Sequence, residues 1–339
     1  MQKNRVSIIF VNYNGVEYIG QSDLERAIKS FLNTDYSDFE FIFVDNASED
    51  TSIAIANNAF SSFPRIKTKV INTGFNAGFS GGCNKAIKEA TGEYLCLVNN
   101  DDCAIGKDWL APLIKQLTLH ADAGAIFGKK MKWDSPTEID ACGLTMNAAA
   151  FISGTKLKDK FAECLIWQTP VVFNRSLLPK IGGYFFDDDY VILNDDTDSS
   201  LRIWLSGFKI YYEPSSVVLH KRSATMKHLP VEFVAFHGRK NTLQTILKCY
   251  NLKHLLLWFP VSLSMFVTSI PYYLMKGRVD QAKATWRALS WILKNFKNIL
   301  KKRNIIKHKV RVVDDSAFFH LFTKYKPIKI LLGNKIWPK

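Results

Sequence analysis

Short apolar runs alternate with helix-patterned segments over residues 5–100 of this chain. The runs at 6–11, 39–44, 69–71 and 94–98 are rich in β-branched and aromatic residues, which is typical of buried strands. Between the first two runs, apolar residues recur at helical spacing over 22–32. Strands that are joined through helices form parallel sheets with helices on both faces. The sequence therefore predicts an α/β fold with a mostly parallel sheet.

Each predicted strand ends in polar side chains. These are Asn12 and Asn14, Asp45 and Asn46, Asn72, and Asn99 to Asp102. The carboxyl ends of parallel strands meet at one edge of the sheet, where open α/β folds bind their ligands. We therefore expect a ligand site at this edge. Ser48, which follows the second strand, is predicted to cap the next helix.

The fourth strand runs directly into Asn99-Asn100-Asp101-Asp102. Adjacent carboxylates repel one another unless a cation or hydrogen-bond donors balance their charge. Oxygen ligands of this kind suit Mg²⁺ or Mn²⁺, and these ions suit a diphosphate. The alternative interpretation is a solvated acidic turn.

A glycine-rich loop is predicted at 72–82, ahead of a helix. It lacks the GxGxxG and GxxxxGK[ST] patterns, which disfavours a dinucleotide-dependent dehydrogenase and a P-loop ATPase. Its glycines would let the backbone approach a phosphate closely. An ordinary flexible turn is the alternative.

The second half of the chain continues with a predicted helix at 109–119 and a strand at 125–127. Strand-like runs at 165–167 and 171–173 flank Pro170, which indicates an edge strand or a bulge. Further strands are predicted at 209–212 and 216–219, and the last one ends at His220. A lone histidine is more often a packed residue than a ligand.

Six aspartates lie between positions 187 and 198, and three of them open a predicted helix at Asp195, Asp196 and Asp198. Carboxylates in the first turn of a helix are stabilised by the helix dipole, which is a purely structural explanation. The functional alternative is a general base at the helix N-terminus, close to the metal cluster.

Cysteine use and the N-terminus indicate a reducing compartment. The six cysteines show no CxxC and no paired spacing, so neither a disulfide framework nor a zinc site is predicted. Met1 to Arg5 lead directly into a strand without an apolar signal segment. The N-terminal region is therefore expected to stay in the cytoplasm.

The net charge of +14 belongs to the end of the chain, because residues 248–339 contain 19 lysine and arginine residues against three acidic ones. Residues 255–275 carry no charge, which suffices for a bilayer span, although Pro260 and Pro271 equally suit a re-entrant or interfacial segment. Tryptophans mixed with basic residues indicate an anionic membrane surface rather than nucleic acid. We predict a catalytic domain at 1–247 and a basic, apolar, helical membrane-associated region at 248–339.

Five motifs in order resemble the family-2 glycosyltransferases of the GT-A fold, within them the rhamnosyltransferase-like branch of bacterial surface polysaccharide synthesis. The resemblance covers roughly residues 5–250. The motifs are Val6–Asn14, Val44–Ser48, Asn72-x-Gly74-x-Asn76-x-Gly78, Leu97-x-Asn99-Asn100-Asp101 and Asp195-Asp196-x-Asp198-x-x-x-Arg202.

The resemblance implies roles for single positions. Asn12, Tyr13 and Asp45 match residues that hold the nucleobase and ribose, and Asn76 and Gly78 match a loop lining the nucleotide site. Asn99, Asn100 and Asp101 stand at the family's DxD motif, with Asp101 as the metal ligand and His220 facing the metal and diphosphate. Asp195 and Asp196 stand at a Glu-Asp motif, with Asp196 as the general base. Trp167 and Asp187 are assigned to the acceptor side.

The implied reaction is an inverting transfer from a nucleotide-diphosphate donor to a hydroxyl group of a lipid-linked or polysaccharide acceptor, with Mg²⁺ or Mn²⁺ as cofactor. Rhamnose is one candidate sugar. The implied location is the cytoplasmic face of the cell membrane. The sequence leaves two alternatives: a nucleotidyltransferase of related fold, and a non-catalytic, membrane-recruited scaffold that binds nucleotide sugars.

Overall fold

A ten-stranded mixed sheet forms the centre of the computed structural model, which describes residues 2–222, 224 and 226–324. The described strands are β1 Gln2–Asn12, β2 Phe39–Asp45, β3 Lys67–Asn72, β4 Gly92–Asn99, β5 Asp102–Ala104, β6 Ala123–Lys132, β7 Ile139–Ala141, β8 Leu144–Met146, β9 Ile152–Gly154, β10 Ala162–Glu163, β11 Val171–Asn174 and β12 Lys209–His220. The order across the sheet is β10-β12-β6-β11-β4-β1-β2-β3, with β5 on β12 and β7 on β6, while β8 and β9 form a separate hairpin.

Helices cover both faces of the sheet and form the C-terminal region. The described α-helices are α1 Gly15–Ile19, α2 Gln21–Leu32, α3 Ser52–Ser61, α4 Gly78–Glu89, α5 Leu110–Leu119, α6 Asp195–Leu205, α7 Val231–Cys249, α8 Leu252–Met275, α9 Val279–Lys294 and α10 Phe296–Ile305. Short 3₁₀ segments lie at Arg175–Ile181, Met226–His228 and Asp315–Leu321, and a π segment at Ile306–Val310. The helices predicted at 22–32, 109–119 and from Asp195 are confirmed.

The predicted parallel sheet is confirmed for β3, β2, β1 and β4, which pair with one another in parallel. Their register aligns the polar strand ends, because Asn12 pairs with Asp45, Asp45 with Asn72, and Val11 with Asn99. Along β1, Ile8 and Phe10 face one hydrophobic core while Ile9 faces the other. The strand is therefore buried on both faces, which explains its uninterrupted apolar sequence.

The other half of the sheet is mixed. β12 runs parallel to β6, but β11 lies antiparallel between β4 and β6. Of the two alternatives given for the segment near Pro170, the edge strand was therefore wrong, because β11 begins just after Pro170 and lies in the interior of the sheet. The strands predicted at 209–212 and 216–219 form one strand, β12, with an irregularity between Glu213 and Val217. The run at 165–167 contributes only a bridge from Ile166 to Leu144.

Two local predictions at helix starts need correction. The helix after β2 begins at Ser52, so Ser48 does not cap it. The Ser48 hydroxyl donates to Asp45 instead, at 2.6 Å. The loop predicted at 72–82 is shorter, because α4 already begins at Gly78.

The C-terminal helices pack on the sheet domain. Residue 247 lies in the last turn of α7, and Ile246, Cys249, Ile306 and Val310 belong to the same hydrophobic core as the sheet. Helix α8 is long and apolar enough to cross a membrane, and 6% of its most apolar window is buried. The division at 247 and the membrane role of the following region stay predictions, and residues 325–339 of that region lie outside the described residues.

Candidate active site

A hydrogen-bonded group links the ends of β1, β2 and β4. The Asn12 amide is fully buried and donates to the Ser48 hydroxyl at 3.2 Å, while its oxygen accepts from Asn100 at 3.1 Å. The Asp45 carboxylate accepts from the Ser48 amide N–H at 2.9 Å and from its hydroxyl. Buried polar groups that satisfy one another in this way hold a fixed geometry. The structure therefore brings together the predicted residues Asn12, Asp45 and Asn100.

The glycine loop lies beside this group. The Asn46 side chain donates to the Gly78 carbonyl oxygen at 2.9 Å, which ties the end of β2 to the start of α4. The Gly78 N–H donates to the Asn76 side chain at 3.0 Å. Asn76 is exposed and Tyr13 is half-buried, so both side chains border open space near the strand ends.

Gly78 has a steric requirement that a variant pair can test. Its φ is +69°, and a Cβ there would lie 2.1 Å from the Val191 carbonyl oxygen. Gly74 in the same loop has φ +78° but open space around its Cβ position. We expect Gly74→Ala to lower the free energy of unfolding by about 1–2 kcal/mol through backbone strain alone. Gly78→Ala should cost roughly 1–3 kcal/mol more because Val191 must move.

Urea unfolding of the two variants measures the difference. Equal losses would show that the loop absorbs the extra methyl group and that close packing against Val191 is not required.

A second group joins Asp101, His220 and Asp140. His220 Nε2 lies 3.6 Å from Asp101 Oδ2, and His220 Nδ1 lies 2.6 Å from Asp140 Oδ2. Within the described part of the chain, Asp101 Oδ1 is buried without a hydrogen-bond partner. One ligand atom each from Asp101, Asp102 and His220 lies within 4.8 Å of the others. An unsatisfied carboxylate oxygen beside an imidazole nitrogen fits a divalent cation.

The charges of this group stabilise one another. Burial would raise the pKa of Asp101, but His220 and Lys130 outweigh it and lower that pKa. Burial and Lys130 oppose the charged form of His220, yet Asp101 and Asp140 raise its pKa to about 9. The carboxylates of this group are therefore ionised, as metal binding needs, whereas His220 is protonated at neutral pH and would release a proton when a cation binds.

Asp102 is occupied by other contacts. Its Oδ1 lies 2.8 Å from the Lys130 ammonium, and its Oδ2 accepts from the Thr169 hydroxyl at 2.6 Å. The Asn99 N–H also approaches Oδ2, at 3.3 Å. Asp102 is fully buried, so it holds the turn in which Asp101 sits.

Helix α6 begins with two interacting carboxylates. Asp195 accepts from the Ser80 hydroxyl of α4 at 2.8 Å, and Asp196 accepts from the Thr197 N–H at 2.6 Å. Burial and the neighbouring Asp195 charge raise the pKa of Asp196 to about 7. A carboxylate with a pKa near neutral is suited to take a proton at physiological pH.

Asp198 has a structural role in the same helix. Its carboxylate lies 3.0 Å from the Arg202 Nε and 2.8 Å from the Lys248 ammonium, and all three side chains are fully buried. The Arg202 guanidinium also donates to the carbonyl oxygens of Ile181 and Tyr184 at 2.9 Å each. Arg202 therefore fixes the turn that precedes Asp187.

Asp187 and Trp167, which were assigned to the acceptor side, are both buried, and that assignment stays a prediction. Asp187 is 3% exposed and pairs with Lys248 and, at 2.5 Å, with Lys302. Burial would raise the pKa of Asp187, but these two lysines lower it well below its usual range. Trp167 is 2% exposed, and its indole N–H donates to the Ser199 hydroxyl at 3.1 Å. Asp187 thus pairs with two lysines of the C-terminal helices, and Trp167 packs on α6.

A cavity of about 390 Å³ opens next to His220. Its lining includes Asp140 and His220 at one end, Gly143 and Gln168, and the basic side chains of Lys156, Lys158 and Arg222. The sequence interpretation assigned none of these basic residues. It also missed Asp140 as the partner of His220, because an ordinary acid in an irregular stretch carries no local signal.

A protein-family model described as glycosyl transferase family 2 matches residues 7–182. The chain belongs to glycosyl transferase family 2. The match overlaps four of the five motifs, including the ends of β1, β2 and β4 and the Asp101 turn, and it confirms the resemblance to the family. The rhamnosyltransferase-like branch stays a prediction.

Several curated relatives support this membership. The chain is 23% identical over 251 residues to an uncharacterized glycosyltransferase of Haemophilus influenzae, covering 69% of this chain and 75% of that protein. It is 32% identical over 98 residues to the GalNAc(5)-diNAcBac-PP-undecaprenol beta-1,3-glucosyltransferase of Campylobacter jejuni, over 29% of this chain. That match spans 30% of the Campylobacter protein, and a match to another Haemophilus influenzae glycosyltransferase spans 36% of that protein.

Solved structures of other transferases share the fold. The mannosyltransferase PcManGT of Pyrobaculum calidifontis, in complex with GDP-Man and Mn²⁺, aligns with TM-score 0.53 at 18% identity, over 91% of this chain and 86% of that chain. TarS residues 1–349 of S. aureus, in complex with UDP-GlcNAc, align with TM-score 0.58 at 15% identity, over 89% and 90%. The GT-A-type fold expected from the motifs is thereby confirmed.

Proposed function

We propose that this chain transfers a sugar from a nucleotide-diphosphate donor to an acceptor hydroxyl, with inversion at the sugar carbon. The observation that carries the proposal is the Asp101 carboxylate: among the described residues its Oδ1 is buried without a hydrogen-bond partner, and its Oδ2 lies 3.6 Å from His220 Nε2. It lies beside the buried Asn12–Asp45–Asn100 group, which fits a nucleoside. Solved proteins of this fold hold GDP-Man or UDP-GlcNAc, which supports a nucleotide sugar as donor.

Asp101 and His220 are the residues that would hold a divalent cation, Mg²⁺ or Mn²⁺, and Mn²⁺ is present in the mannosyltransferase complex. Such a cation, when bound, supplies charge that stabilises a leaving nucleoside diphosphate. Asp102 fixes the turn through Lys130 and Thr169 and thereby keeps Asp101 in place.

Asp196 is the proposed general base. Its pKa of about 7 leaves a useful fraction ionised at neutral pH, so it can accept the proton of an acceptor hydroxyl as that oxygen attacks the sugar. Asp195 supports it by raising this pKa and is itself held by Ser80.

The acceptor is proposed to be lipid-linked, and the enzyme to work at the cytoplasmic face of a membrane. The Campylobacter relative is named for an undecaprenol-diphosphate-linked acceptor. Helix α8 presents apolar side chains outward, such as Leu256 at 67% and Met275 at 78% exposure. Exposed apolar residues beside basic ones favour an anionic membrane surface.

A thermal-shift screen of nucleotide sugars, with dTDP-rhamnose among them and with Mg²⁺ or Mn²⁺, tests donor binding. Product analysis then separates the alternatives. Release of a nucleoside diphosphate supports glycosyl transfer, whereas release of pyrophosphate would indicate a nucleotidyltransferase. Binding without turnover on any acceptor lipid would favour a scaffold.

Asp140 offers a test of the cation site that does not depend on activity. Asp140 accepts from His220 Nδ1 and thereby orients Nε2 toward Asp101, so a cation that displaces the Nε2 proton would bind there. We expect Asp140→Asn to weaken Mn²⁺ binding about 10–100-fold in a titration followed by electron paramagnetic resonance. Asp159→Asn, an exposed acid paired with Lys129, is the matched control and should bind Mn²⁺ normally. Unchanged affinity in Asp140→Asn would remove His220 from the cation site.

A further inference from the structure

The cavity beside His220 has a strongly basic side. Lys156, Lys158 and Arg222 line it, and Asp140 is the only acid among the described residues of its lining. Its Oδ2 lies 2.6 Å from His220 Nδ1, and its Oδ1 lies 3.7 Å from Arg222 Nη1. Within the described part of the chain, Lys156 and Lys158 form no salt bridge. The described lining therefore carries more positive than negative charge, with three lysine and arginine side chains against Asp140.

The walls of the cavity are fixed by hydrogen bonds. The Tyr212 hydroxyl donates to the Lys158 carbonyl oxygen at 2.6 Å, and the Thr155 hydroxyl donates to the Cys142 carbonyl oxygen at 2.6 Å. The Gly143 N–H donates to the Gln168 side chain at 2.9 Å. The loop that carries the two lysines is thus held against strand β12 and the turn between β7 and β8, so its backbone is positioned before a ligand binds.

The cavity lies between the two groups that the reaction requires. His220 in its wall faces Asp101 on the other side. Gln168 follows Trp167, whose backbone N–H and indole N–H donate to Ser200 and Ser199 of helix α6, and the first turn of this helix carries Asp196. An acceptor in this cavity would therefore contact the wall that carries His220 and, through Gln168, the segment that packs on the helix of the proposed base.

One wall of the cavity also leads to the apolar helix α8. Leu144 and Gly154 line the cavity, and the segment between them carries Ala149, whose carbonyl oxygen accepts from Ser262 of α8 at 2.8 Å. In the same segment, the ring of Phe151 packs near the ring of Phe266 of α8, and their centroids are 5.9 Å apart. A lipid that lies along the exposed face of α8 could present its polar end at this wall.

We propose that this cavity binds the diphosphate of an isoprenoid-linked acceptor, with Lys156, Lys158 and Arg222 as its anion-binding side chains. A diphosphate ester carries two to three negative charges, which matches three lysine and arginine side chains. The assignment rests on the proposed function, because it names the acceptor of that transfer. The nucleoside diphosphate of the donor carries the same chemistry and is the competing source of the ligand.

A binding experiment on metal-free protein separates these sources. The chain is dialysed against a chelator and then against chelator-free buffer, so the cation site cannot hold the diphosphate. Farnesyl diphosphate and inorganic pyrophosphate are then titrated by calorimetry. We expect the double variant Lys156→Gln/Lys158→Gln to bind both at least tenfold more weakly than the native chain. Lys160→Gln, an exposed lysine of the same loop outside the lining, should bind both normally.

A second titration measures donor binding: UDP and GDP are each titrated into the native chain and the double variant with Mn²⁺ present. The double variant should bind the preferred nucleotide as tightly as the native chain does. An equal loss for nucleotide and farnesyl diphosphate would assign the lysines to the donor and overturn the proposal. Unchanged farnesyl diphosphate binding in the double variant would overturn it as well. Because neither arm needs catalysis, a chain that binds farnesyl diphosphate through these lysines but transfers no sugar would refute the proposed function alone.

Discussion

Asp196→Asn is expected to lower kcat for sugar transfer by about 10²–10⁴-fold, the usual contribution of a positioned general base. Asparagine keeps the size of the side chain and can still accept from the Thr197 N–H. It cannot take a proton from an acceptor hydroxyl. Donor affinity should stay unchanged, because Asp196 is assigned to no contact with the nucleotide.

The control for this variant is Asp188→Asn, which neutralises an exposed acid of the neighbouring cluster that contacts Asn84. It should keep the native rate. Transfer by folded Asp196→Asn at the native rate would show that another group accepts the proton.

The pH profile gives the same assignment a second readout. Because burial and the Asp195 charge raise the pKa of Asp196 to about 7, the active ionised form is lost as the pH falls below that value. The rate should fall about tenfold per pH unit on the acid side and level off above neutrality. Asp195→Asn removes the neighbouring charge, so the acid limb should move to lower pH.

Lys248→Met is expected to lower the free energy of unfolding by about 3–5 kcal/mol, the typical cost of removing one partner of a buried ion pair. The Lys248 ammonium is fully buried between Asp187 and Asp198. Without it, Asp198 keeps Arg202 and Asp187 keeps only the partly exposed Lys302. Methionine fills a similar volume, so the loss reports the uncompensated charge rather than a cavity.

Urea unfolding measures this change, with Lys253→Met as control. Lys253 is exposed at the start of α8, and its replacement should stay within about 0.5 kcal/mol of the native stability. A small effect of Lys248→Met would mean that water enters the cluster and screens the carboxylates.

Acid should weaken the same cluster. The two lysines lower the pKa of Asp187 below its unfolded value, so the folded state binds this proton less tightly than the unfolded state. Such a carboxylate stabilises the fold above its unfolded pKa of about 4, and the contribution is lost as the pH falls below that value. Lys248→Met should reduce this acid sensitivity.

Local patterns predicted the parallel half of the fold and the site residues attached to it. Apolar runs and helical spacing depend only on neighbouring residues, so β1 to β4 and helices α2, α5 and α6 could be predicted from them. The grouping of Asn12, Asp45 and Asn100 followed because parallel strands bring their carboxyl ends to one edge.

The mixed half could not be predicted in this way. β11 runs against its neighbours, so its beginning, with Thr169 just before it, meets the edge where parallel strands end. Asp140 reaches His220 across 80 positions because β7 pairs with β6 and β6 pairs with β12. Such contacts depend on the register of distant strands, which short-range patterns do not contain. The pairing of Asp187 with Lys248 and Lys302 was missed for the same reason.

The C-terminal region cannot be removed without loss of contacts to the sheet domain. Three of its basic residues make such contacts: Lys248, Lys302 and Arg311. Arg311 donates to the Cys249 carbonyl oxygen, and the Val312 N–H donates to the Leu205 carbonyl oxygen at the end of α6, at 2.7 Å. A truncated protein ending at residue 247 would lose these donors together with both lysine partners of Asp187. Removing the apolar helices to gain solubility would therefore also loosen α6, the helix whose first turn carries Asp196. Solubilising substitutions on the outward face of α8, at Leu256 or Leu257, leave those contacts in place.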